Sequence, residues 1–503
     1  MNDLALASPS PALWFKTLRR TGLREQCLKT FPLECVDLLK RSRVAFKAGR
    51  TLKESFRLAQ LEALVRMLQD NESDFVDALA RDLHKPRYET VLAELIFVKN
   101  EAFYAINNVK KWMQHQHVER NLTTSLDECV VVSEPLGVVF IRGAWCNPVQ
   151  MCLVPLVGAI AAGNCAIISP SHITSHTAEC LHRLFPFYLD NECFHVILGG
   201  TNELLEVMKL KFDHIFFTGN REEGTKVAQA AASSLTPVTL VLSGKNPCYV
   251  DQNCEVKTAA QRIAWARFHN AGQSMVAPDY ILCHEDVKEH LVQALKGCLM
   301  HFYGPDPRES SSYGRMVNSE IFNRTRDLLC KSGKVSVGGQ VNEAEMYIAP
   351  TVLTEVAEND PIMQQDVYGP VLPILSVNNI DEAISFINKQ EKPLCVYAYS
   401  NNKKVISKLM AETSSGSFCS NDSVLQSLMV ALPFGGVGAS GTGSYHGRHS
   451  FDTFSHKKSC LLRSTRFECI TRLRYPPYED RNLSLVTLAS TLSQKSQGWC
   501  QIL

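Results

Sequence analysis

The chain has almost no net charge and no long apolar run. Its 52 Lys and Arg side chains are balanced by 51 Asp and Glu side chains, which leaves a formal net charge of +1. Without a global positive field we predict no nucleic-acid partner. A run of about 18 apolar residues is also missing, so any membrane contact is expected to be peripheral.

Paired cysteine motifs are missing too, although the chain contains 18 cysteines. No two of them have C-x-x-C spacing, and the first residues lack the basic start and apolar core of an export signal. This pattern favours reduced thiols in the cytosol over a disulfide framework. We predict a cytoplasmic protein without a metal site.

What is present is a chain of 503 residues, 45% of them hydrophobic, which is enough for two or three domains with substantial cores. Residues 16–50 carry ten basic and three acidic side chains. This segment is interpreted as a solvated helical extension or as an arm that faces a membrane or a partner. Apolar spacing over residues 54–83 predicts a helical hairpin or one long kinked helix.

Strand-like and helix-like segments alternate after residue 135. Predicted strands cover 137–141, 165–168, 194–198 and 214–218, and predicted helices cover 148–163, 172–185 and 203–209. Such alternation predicts a parallel sheet covered on both faces, a Rossmann-type nucleotide-binding arrangement. A second α/β region follows residue 242, and the polar, irregular sequence from residue 467 is typical of a poorly ordered tail.

Seven collinear blocks resemble the aldehyde dehydrogenase superfamily, and within it the membrane-associated B type of class 3. They are EPLGVVFIRGAW at 134–145, PLVGAIAAGN at 155–164, FFTGN at 216–220, LTPVTL at 235–240, APDYILC at 277–283, YGPVLPI at 368–374 and LPFGGVGASGTGSYHGRHSFDTFSH at 432–456. The resemblance covers roughly residues 38–462 of the chain.

The resemblance implies the α/β aldehyde dehydrogenase fold. A Rossmann-type NAD(P)-binding domain is expected from residues 38–118 and 140–242, and an α/β catalytic domain from residues 243–429. A small β bridging arm is expected from residues 119–139 and 430–460. Residues 1–37 are expected to form an N-terminal extension, and residues 461–503 a flexible tail. Since this arm pairs subunits in class 3, we expect a homodimer, or a heterodimer with an active relative.

The catalytic positions of the resembled family hold residues of different chemistry. The loop NAGQSM at 270–275 places Met275 where the family has its cysteine nucleophile, and a thioether has no proton to lose. The family's glutamate base corresponds to Val241. Its oxyanion-binding asparagine corresponds to Cys146, and Asn147 stands one residue out of register, so that its amide is expected to point elsewhere.

Three functions follow as alternatives. The first is a catalytically inactive pseudoenzyme. The second is an active NAD(P)-dependent dehydrogenase for aliphatic or lipid-derived aldehydes, with Cys146 as a substitute thiol and His172 or His269 as a base. The third is a non-catalytic module that binds NAD(P) or a lipid chain.

The resemblance also assigns cofactor contacts. These fall on Trp145, Ser169, His172, Gly219, Gly224 and Asp366. Ser169 and His172 replace a lysine and a glutamate that hold the adenosine ribose, and Asp366 replaces the glutamate that holds the nicotinamide ribose. Glu222 and Glu223 add negative charge to a helix start that would otherwise favour a diphosphate. NAD or NADP binding is therefore predicted to be weakened.

The sequence CQIL at 500–503 has the C-a-a-X form of a prenylation site, with the leucine typical of geranylgeranylation. Stable anchoring needs a second signal, for which Cys469 and the nearby arginines are candidates. These arginines are Arg463, Arg466, Arg472 and Arg474. Lipidation at Cys500 predicts a peripheral location on cytosolic membrane faces or lipid droplets.

Overall fold

The computed structural model describes residues 24–120, 124–125, 127–466 and 468–491. In chain order its strands are β1 Gln116–His117, β2 Glu128–Pro135, β3 Val138–Arg142, β4 Cys165–Ser169, β5 Phe194–Val196, β6 His214–Gly219, β7 Val238–Leu242, β8 Pro247–Val250, β9 Tyr280–His284, β10 Lys334–Val337, β11 Val341–Asn342, β12 Tyr347–Ile348, β13 Thr351–Thr354, β14 Val371–Val377, β15 Cys395–Tyr399, β16 Ser417–Ser420, β17 Gly441–Thr442 and β18 Ser455–Leu462.

The α-helices of the described residues begin with α1 Arg24–Lys47, α2 Glu54–Asp70, α3 Glu72–Leu83, α4 Arg87–Glu89, α5 Phe97–Trp112, α6 Pro148–Ala162, α7 Ser175–Tyr188, α8 Thr201–Met208, α9 Arg221–Ala232 and α10 Val256–Phe268. They continue with α11 Glu285–Tyr303, α12 Ser319–Cys330, α13 Pro361–Gln364, α14 Ile380–Lys389, α15 Lys403–Glu412, α16 Gly447–Thr453, α17 Glu468–Thr471 and α18 Asp480–Ser490. A π-helical segment, Thr90–Ile96, precedes α5.

The first large sheet has the strand order β17-β7-β6-β3-β4-β5 and is parallel except for β17. From β3 the chain continues to β4 and β5 on one side, and then to β6 and β7 on the other. The strand order therefore reverses between β3 and β6, whose carboxyl ends carry Arg142 and Gly219. Ligands of open α/β sheets bind at such a switch point. The predicted parallel sheet is confirmed.

The second large sheet has the order β10-β13-β14-β9-β8-β15-β16 and is parallel except for β10. Only residues 243–246 separate β7 of the first sheet from β8 of the second. One hydrophobic cluster contains buried side chains from both sheets, among them Val241, Cys248 and Ile281. The two sheets therefore share a core, and the loop before β9 lies close to this connection.

Helix α6 is buried almost all round, because its sequence contains no charged side chain. Of its residues only Gln150 is not buried. The helix ends at Gly163, whose φ of 94° is left-handed and whose N–H donates to the carbonyls of Ala159 and Ile160. A Cβ at Gly163 would come within 2.4 Å of the Arg57 Nη2 atom, so both the backbone angle and the packing require glycine. The predicted helix that ends at this glycine is confirmed.

Part of the predicted bridging arm forms a small sheet of its own. It is an antiparallel sheet of β1, β2 and β18, in which β2 and β18 pair along their full length of eight residues. Residues 430–454 of the predicted arm return to the first sheet instead, where Gly441 pairs with Val241. The reason is burial: Phe434, Tyr445 and Phe454 belong to the main hydrophobic cluster.

Two other predictions concern helical segments outside the sheets. Residues 54–83 form α2 and α3, which are separated by the single residue Asn71, in agreement with the predicted helical hairpin or kinked helix. The predicted irregular structure from residue 467 is wrong for Asp480–Ser490, which form α18. This segment has neither glycine nor proline, and Asp480 suits the first turn of a helix.

No helix within the described ranges has the length and hydropathy to cross a bilayer.

Candidate active site

The loop between α10 and β9 has an unusual backbone. A 3₁₀ turn, His269–Gly272, follows α10, and within it Asn270 and Ala271 have left-handed φ values of 53° and 52°. Gly272 also has a positive φ of 74°. A Cβ at Gly272 would lie 2.3 Å from the carbonyl oxygen of Gly369, so glycine is required there. Non-glycine residues in this conformation cluster at functional sites, where the surrounding structure must hold them.

Two amide side chains hold this loop. Asn270 Nδ2 donates to the carbonyls of Cys146 and Gln273, both at 2.8 Å. Gln273 Nε2 donates to the carbonyls of Asn270 (3.1 Å) and Arg315 (2.9 Å). Gln273 Oε1 accepts from the Val317 N–H at 2.9 Å. None of these bonds uses the side chain of residue 275, so the loop geometry does not depend on that side chain.

The far end of the loop is held by a buried ionic network. The Asp279 carboxylate accepts from Lys245 Nζ at 2.5 Å and from Arg267 Nη1 at 3.0 Å. Burial acts to raise the pKa of Asp279, but these two cations outweigh it and keep the pKa below its usual value. Because Lys245 lies between the two sheets and Arg267 in α10, the carboxylate joins three elements around the loop.

Met275 is 4% exposed and contacts an apolar cavity of about 60 Å³. Its carbonyl accepts from Asn246 Nδ2 at 2.8 Å, and Asn246 Oδ1 accepts from the Cys395 N–H at 2.9 Å. The cavity is lined by Leu92, Ala93, Asn147, Gln150, Met151, Trp265, Ala266, His269, Ser274, Met275, Val276, Val424, Ser427, Leu428, Phe434 and Tyr445. Most of this wall is hydrocarbon, which suits an aliphatic ligand.

The other two predicted catalytic positions do not reach this cavity. Val241 is fully buried in β7, where it pairs with Thr218 on one side and Gly441 on the other. Cys146 is 1% exposed, and burial raises the pKa of its thiol to about 12. A thiol with that pKa is un-ionised at neutral pH and is a poor nucleophile.

Asn147 lines the cavity, as does one of the two histidines considered as bases. The Asn147 amide oxygen accepts from Lys85 Nζ at 3.1 Å, and its nitrogen donates to the Cys146 carbonyl at 3.3 Å. The amide is therefore engaged by Lys85 and by the main chain of Cys146. His269 lines the cavity, whereas His172 is an exposed residue beyond β4 and does not.

A buried ion pair that the sequence analysis did not identify supports the turn before α6. Lys85 Nζ and Glu94 Oε1 are 2.6 Å apart, and neither side chain is exposed. Glu94 Oε2 accepts from the N–H groups of Val149 (3.1 Å) and Gln150 (2.9 Å). It thus caps the start of α6, where the helix dipole favours an anion. A capping residue more than 50 positions away in the chain leaves no local sequence signal.

The glycine turn after β6 packs closely against its neighbours and has a carboxylate beside it. A Cβ at Gly224 would lie 2.6 Å from Leu242 Cδ2, so this glycine permits close packing of α9 on β7. A Cβ at Gly219 would lie 3.1 Å from Glu223 Oε2, which places this carboxylate beside the turn. Glu222 points away and pairs with Lys226 at 2.7 Å. Only one of the two predicted opposing charges therefore faces the turn.

The carboxyl ends of β3 and β4 carry Arg142 and Ser169. Ser169 is fully buried, and its Oγ has no hydrogen-bond partner among the described residues. The neighbouring Arg142 is 9% exposed and donates from Nη1 to the carbonyls of Ser169 (3.2 Å) and Pro170. Burial lowers the pKa of Arg142 to about 10, with the charge of Glu223 acting in the opposite direction. The arginine remains a cation at neutral pH.

Trp145 and Asp366 both lie near Tyr368. The rings of Trp145 and Tyr368 are 5.8 Å apart. Burial, together with the charge of Asp279, raises the pKa of Asp366, while the Ser243 hydroxyl opposes this shift. Arg324 donates to the backbone carbonyl of Asp366 at 2.7 Å and so engages the main chain of this residue.

Comparison with known proteins identifies the family that has this architecture. A model described as the aldehyde dehydrogenase family matches residues 34–460. Aldehyde dehydrogenase family 3 member B1 from Homo sapiens is 49% identical over 453 residues, which cover 90% of this chain and 97% of the relative. Aldehyde dehydrogenase family 3 member A2 from Mus musculus is 46% identical over 444 residues, which cover 88% of this chain and 92% of the relative.

Solved structures agree with this result. The structure described as the substrate bound state of Staphylococcus aureus AldH has a TM-score of 0.88 and 39% identity, and covers 90% of this chain and 98% of that chain. Mycobacterium tuberculosis aldehyde dehydrogenase complexed with NAD+ shares the fold with a TM-score of 0.77 at 24% identity, over 86% of this chain and 91% of that chain. The predicted fold is confirmed.

The buried ion pair generates a stability prediction. Lys85→Met is expected to lower the free energy of unfolding by about 3–5 kcal/mol, because Glu94 is left as an uncompensated buried charge. The double variant Lys85→Met/Glu94→Gln is expected to lose less than the single variant. Urea denaturation followed by circular dichroism measures both.

The matched control is Lys209→Met, which removes a lysine from an ion pair with Glu206 whose side chains are 58% and 56% exposed. We expect this change to cost less than about 1 kcal/mol. Equal losses for Lys85→Met and Lys209→Met would show that the buried pair has no special role.

Proposed function

Because the chain belongs to the aldehyde dehydrogenase family, we propose that it is a pseudoenzyme, a member that keeps the scaffold and no longer oxidises aldehydes. The family reaction is the NAD(P)-dependent oxidation of an aldehyde to a carboxylic acid through a covalent cysteine adduct. The observation that carries the proposal is Met275, which occupies the nucleophile position against the apolar cavity. A thioether cannot form the attacking thiolate.

A second step of the family reaction also lacks its group. Release of the acyl intermediate needs a base that activates water, and the corresponding residue is Val241. Its side chain is hydrocarbon and fully buried within β7. Even if a thiol were supplied at residue 275, hydrolysis would therefore have no group at the family position to accept the proton.

Cys146 is a poor substitute nucleophile for two reasons. Its side chain is 1% exposed, and burial raises the pKa of its thiol to about 12. It also does not line the cavity that Met275 contacts. An aldehyde in that cavity would therefore not meet this sulfur.

For the cofactor, we propose weakened binding of NAD or NADP. The glycine turn of the Rossmann-type domain is kept, so a dinucleotide would still lie along Gly219 and Gly224. Glu223 faces this turn and repels a diphosphate. Ser169 cannot replace the charge of the lysine expected at its position, and Arg142 is already engaged by two backbone carbonyls.

For partners, we propose pairing through the bridging arm into a homodimer, or a heterodimer with an active relative. β18 is the outer strand of the arm sheet and pairs only with β2 within the described residues. Leu461 and Leu462 on this strand are 55% and 57% exposed. An exposed edge strand with apolar side chains is suited to extend a sheet across two subunits.

Membrane attachment through Cys500 remains a proposal, because Cys500 lies outside the described residues, as does the side chain of Cys469. Support comes from the basic segment that precedes the terminal sequence. Arg466, Arg472 and Arg474 are exposed and attract anionic lipid. Arg463 pairs with Asp127 at 2.9 Å and is therefore less available than predicted.

The activity test compares the wild-type protein with two variants. We expect no NADH or NADPH above background from the wild type with a long-chain aldehyde. Met275→Cys is expected to give at most one acylation per site, detected by intact-protein mass spectrometry. Met275→Cys/Val241→Glu is expected to give steady turnover once both chemical groups are present.

Cys146→Ala serves as the control and is expected to change nothing. Wild-type turnover that disappears in Cys146→Ala would establish a substitute thiol and refute the pseudoenzyme proposal. Since Val241 is buried, the thermal unfolding of the double variant must be recorded beside its activity. Steady turnover from Met275→Cys alone would reveal another base.

The cofactor proposal predicts different effects for two adjacent glutamates. Glu223→Gln is expected to tighten NAD+ binding about fivefold, because it removes a repulsion of about 1 kcal/mol at the turn. Glu222→Gln is the matched control and is expected to have little effect, since its carboxylate pairs with Lys226. Isothermal titration calorimetry gives both constants. Equal effects, or low-micromolar affinity in the wild type, would argue against weakened binding.

The anchor proposal is tested by Cys500→Ser in cells. We expect this variant to move from the membrane fraction to the soluble fraction without a change in dimerisation, because the arm is distant in sequence from residue 500. Cys330→Ser, which alters an exposed cysteine in α12, is the control and should not change the distribution. If Cys500→Ser stays on membranes, the basic segment at 16–50 becomes the better candidate.

A further inference from the structure

Glu101 in α5 is a buried carboxyl group that the proposed function does not use. The residue is 1% exposed. One carboxyl oxygen, Oε1, accepts from the Gly447 N–H, and the other, Oε2, has no hydrogen-bond partner among the described residues. An ionised carboxylate accepts through both oxygens, so a buried oxygen without a donor makes the charged form costly. The surroundings of Glu101 therefore favour the protonated form.

The elements that pack against α5 supply no cation to this carboxyl group. α6 contains no charged side chain. Arg57 of α2 donates to two backbone carbonyls. Glu94 of the π-helical segment is paired with Lys85, and Arg448 of α16 is paired with Asp452. In the part of the chain that the structure describes, the lysines of α5 itself form no ion pair with the group either; they are Lys99, Lys110 and Lys111.

Two titratable groups close to the carboxyl group are uncharged at neutral pH. Burial, and to a smaller extent the charge of Glu101, raises the pKa of the Tyr445 hydroxyl. His446 is 1% exposed, and burial, with a smaller contribution from His449, lowers the pKa of its ring to about 3. Neither ring nitrogen of His446 has a partner among the described residues. Neither group can therefore neutralise a charge on Glu101.

The cost of the charge appears in the pKa of Glu101. Burial raises this pKa to about 8, and the Gly447 N–H, which acts in the opposite direction, does not offset the effect. A solvated glutamate has a pKa of about 4.3 and is ionised throughout the neutral range. Glu101 instead gains its charge above neutral pH. Once charged, it can be hydrated only if the chain packed around it moves.

The segment to which Glu101 is bonded joins the cavity wall to the bridging arm. Tyr445 lines the cavity and is followed by His446 and Gly447. His446 has a left-handed φ of 86°, which a residue other than glycine keeps only where the surrounding structure holds it. α16 begins at Gly447 and leads directly into β18 of the arm. Movement at Gly447 would therefore reach both the cavity and the arm.

We propose that Glu101 is a proton-operated latch between α5 and the start of α16. While the carboxyl group holds its proton, it stays buried against Gly447. When the proton is released to solvent, segment 445–447 opens and admits water to the carboxylate. The latch is independent of the pseudoenzyme proposal, because it involves neither Met275 nor the cofactor.

The test compares the stability of the wild type with that of Glu101→Gln, whose amide has the shape of the protonated carboxyl group and cannot ionise. Because the folded pKa is raised, the folded wild type binds more protons than the unfolded chain between about pH 4.3 and pH 8, and it loses stability as the pH rises through this range. The unfolding constant of the wild type, divided by that of Glu101→Gln, is expected to rise about threefold to tenfold per pH unit between about pH 6 and pH 8.

Urea denaturation of the full chain at one protein concentration gives both constants. Glu62→Gln, at an exposed glutamate of α2, is the matched control and is expected to follow the pH dependence of the wild type. A wild-type to Glu101→Gln ratio that stays constant over this pH range would overturn the proposal. So would an equal change of pH dependence in Glu62→Gln.

Hydrogen exchange locates the opening. At about pH 9 the amides of residues 445–455 are expected to exchange faster in the wild type than in Glu101→Gln at the same pH, with no such difference at about pH 6. Equal exchange at both pH values would show that this segment does not open and would refute the latch.

The wild type alone gives a readout that does not depend on the folding of a variant. The infrared C=O absorption of a protonated carboxylic acid is expected at about pH 6, with loss of this absorption by about pH 9. Its absence at about pH 6 would mean that Glu101 is already ionised, which contradicts the proposal.

Discussion

The buried pair of Lys85 and Glu94 is the interaction on which the site depends. It lies between the N-terminal helices and the start of α6, at a distance of 2.6 Å. Glu94 caps the first turn of α6, and Lys85 donates to Asn147 in the turn before it. Since a buried charge without a partner is strongly unfavourable, the position of this turn is coupled to that of the N-terminal helices.

The backbone of the loop around Met275 is held by groups other than the side chain of residue 275. Its backbone is stabilised by the amides of Asn270, Gln273 and Asn246 and by the Asp279 network. All of these groups bond to main chain or to one another, and none needs a thiol at residue 275. The side chain of residue 275 can therefore change without a large cost to the fold. A methionine also suits the apolar cavity, because it is flexible and hydrophobic.

In the glycine turn after β6, too, packing determines the backbone but not the charges beside it. Gly219 and Gly224 keep the tight approach of helix and strand, because a Cβ at either position would collide with a neighbour. The side chains around this backbone differ in charge: Glu223 faces the turn, Ser169 is uncharged and Arg142 is buried. Close packing requires glycine at such positions, whereas it does not fix the sign of the charge on a nearby side chain.

The sequence alone determined the two α/β regions, the helix that ends at Gly163, and the loop that contains Met275, because these depend on local periodicity, glycine and a continuous motif. Tertiary structure decided which side chains reach the cavity. His269 does and Cys146 does not, although each lies directly beside a recognised motif. It also paired Glu89 with His269 and Glu94 with α6, contacts between residues 180 and 55 positions apart in sequence. Such contacts depend on how separate elements pack, and no spacing rule within one segment encodes that packing.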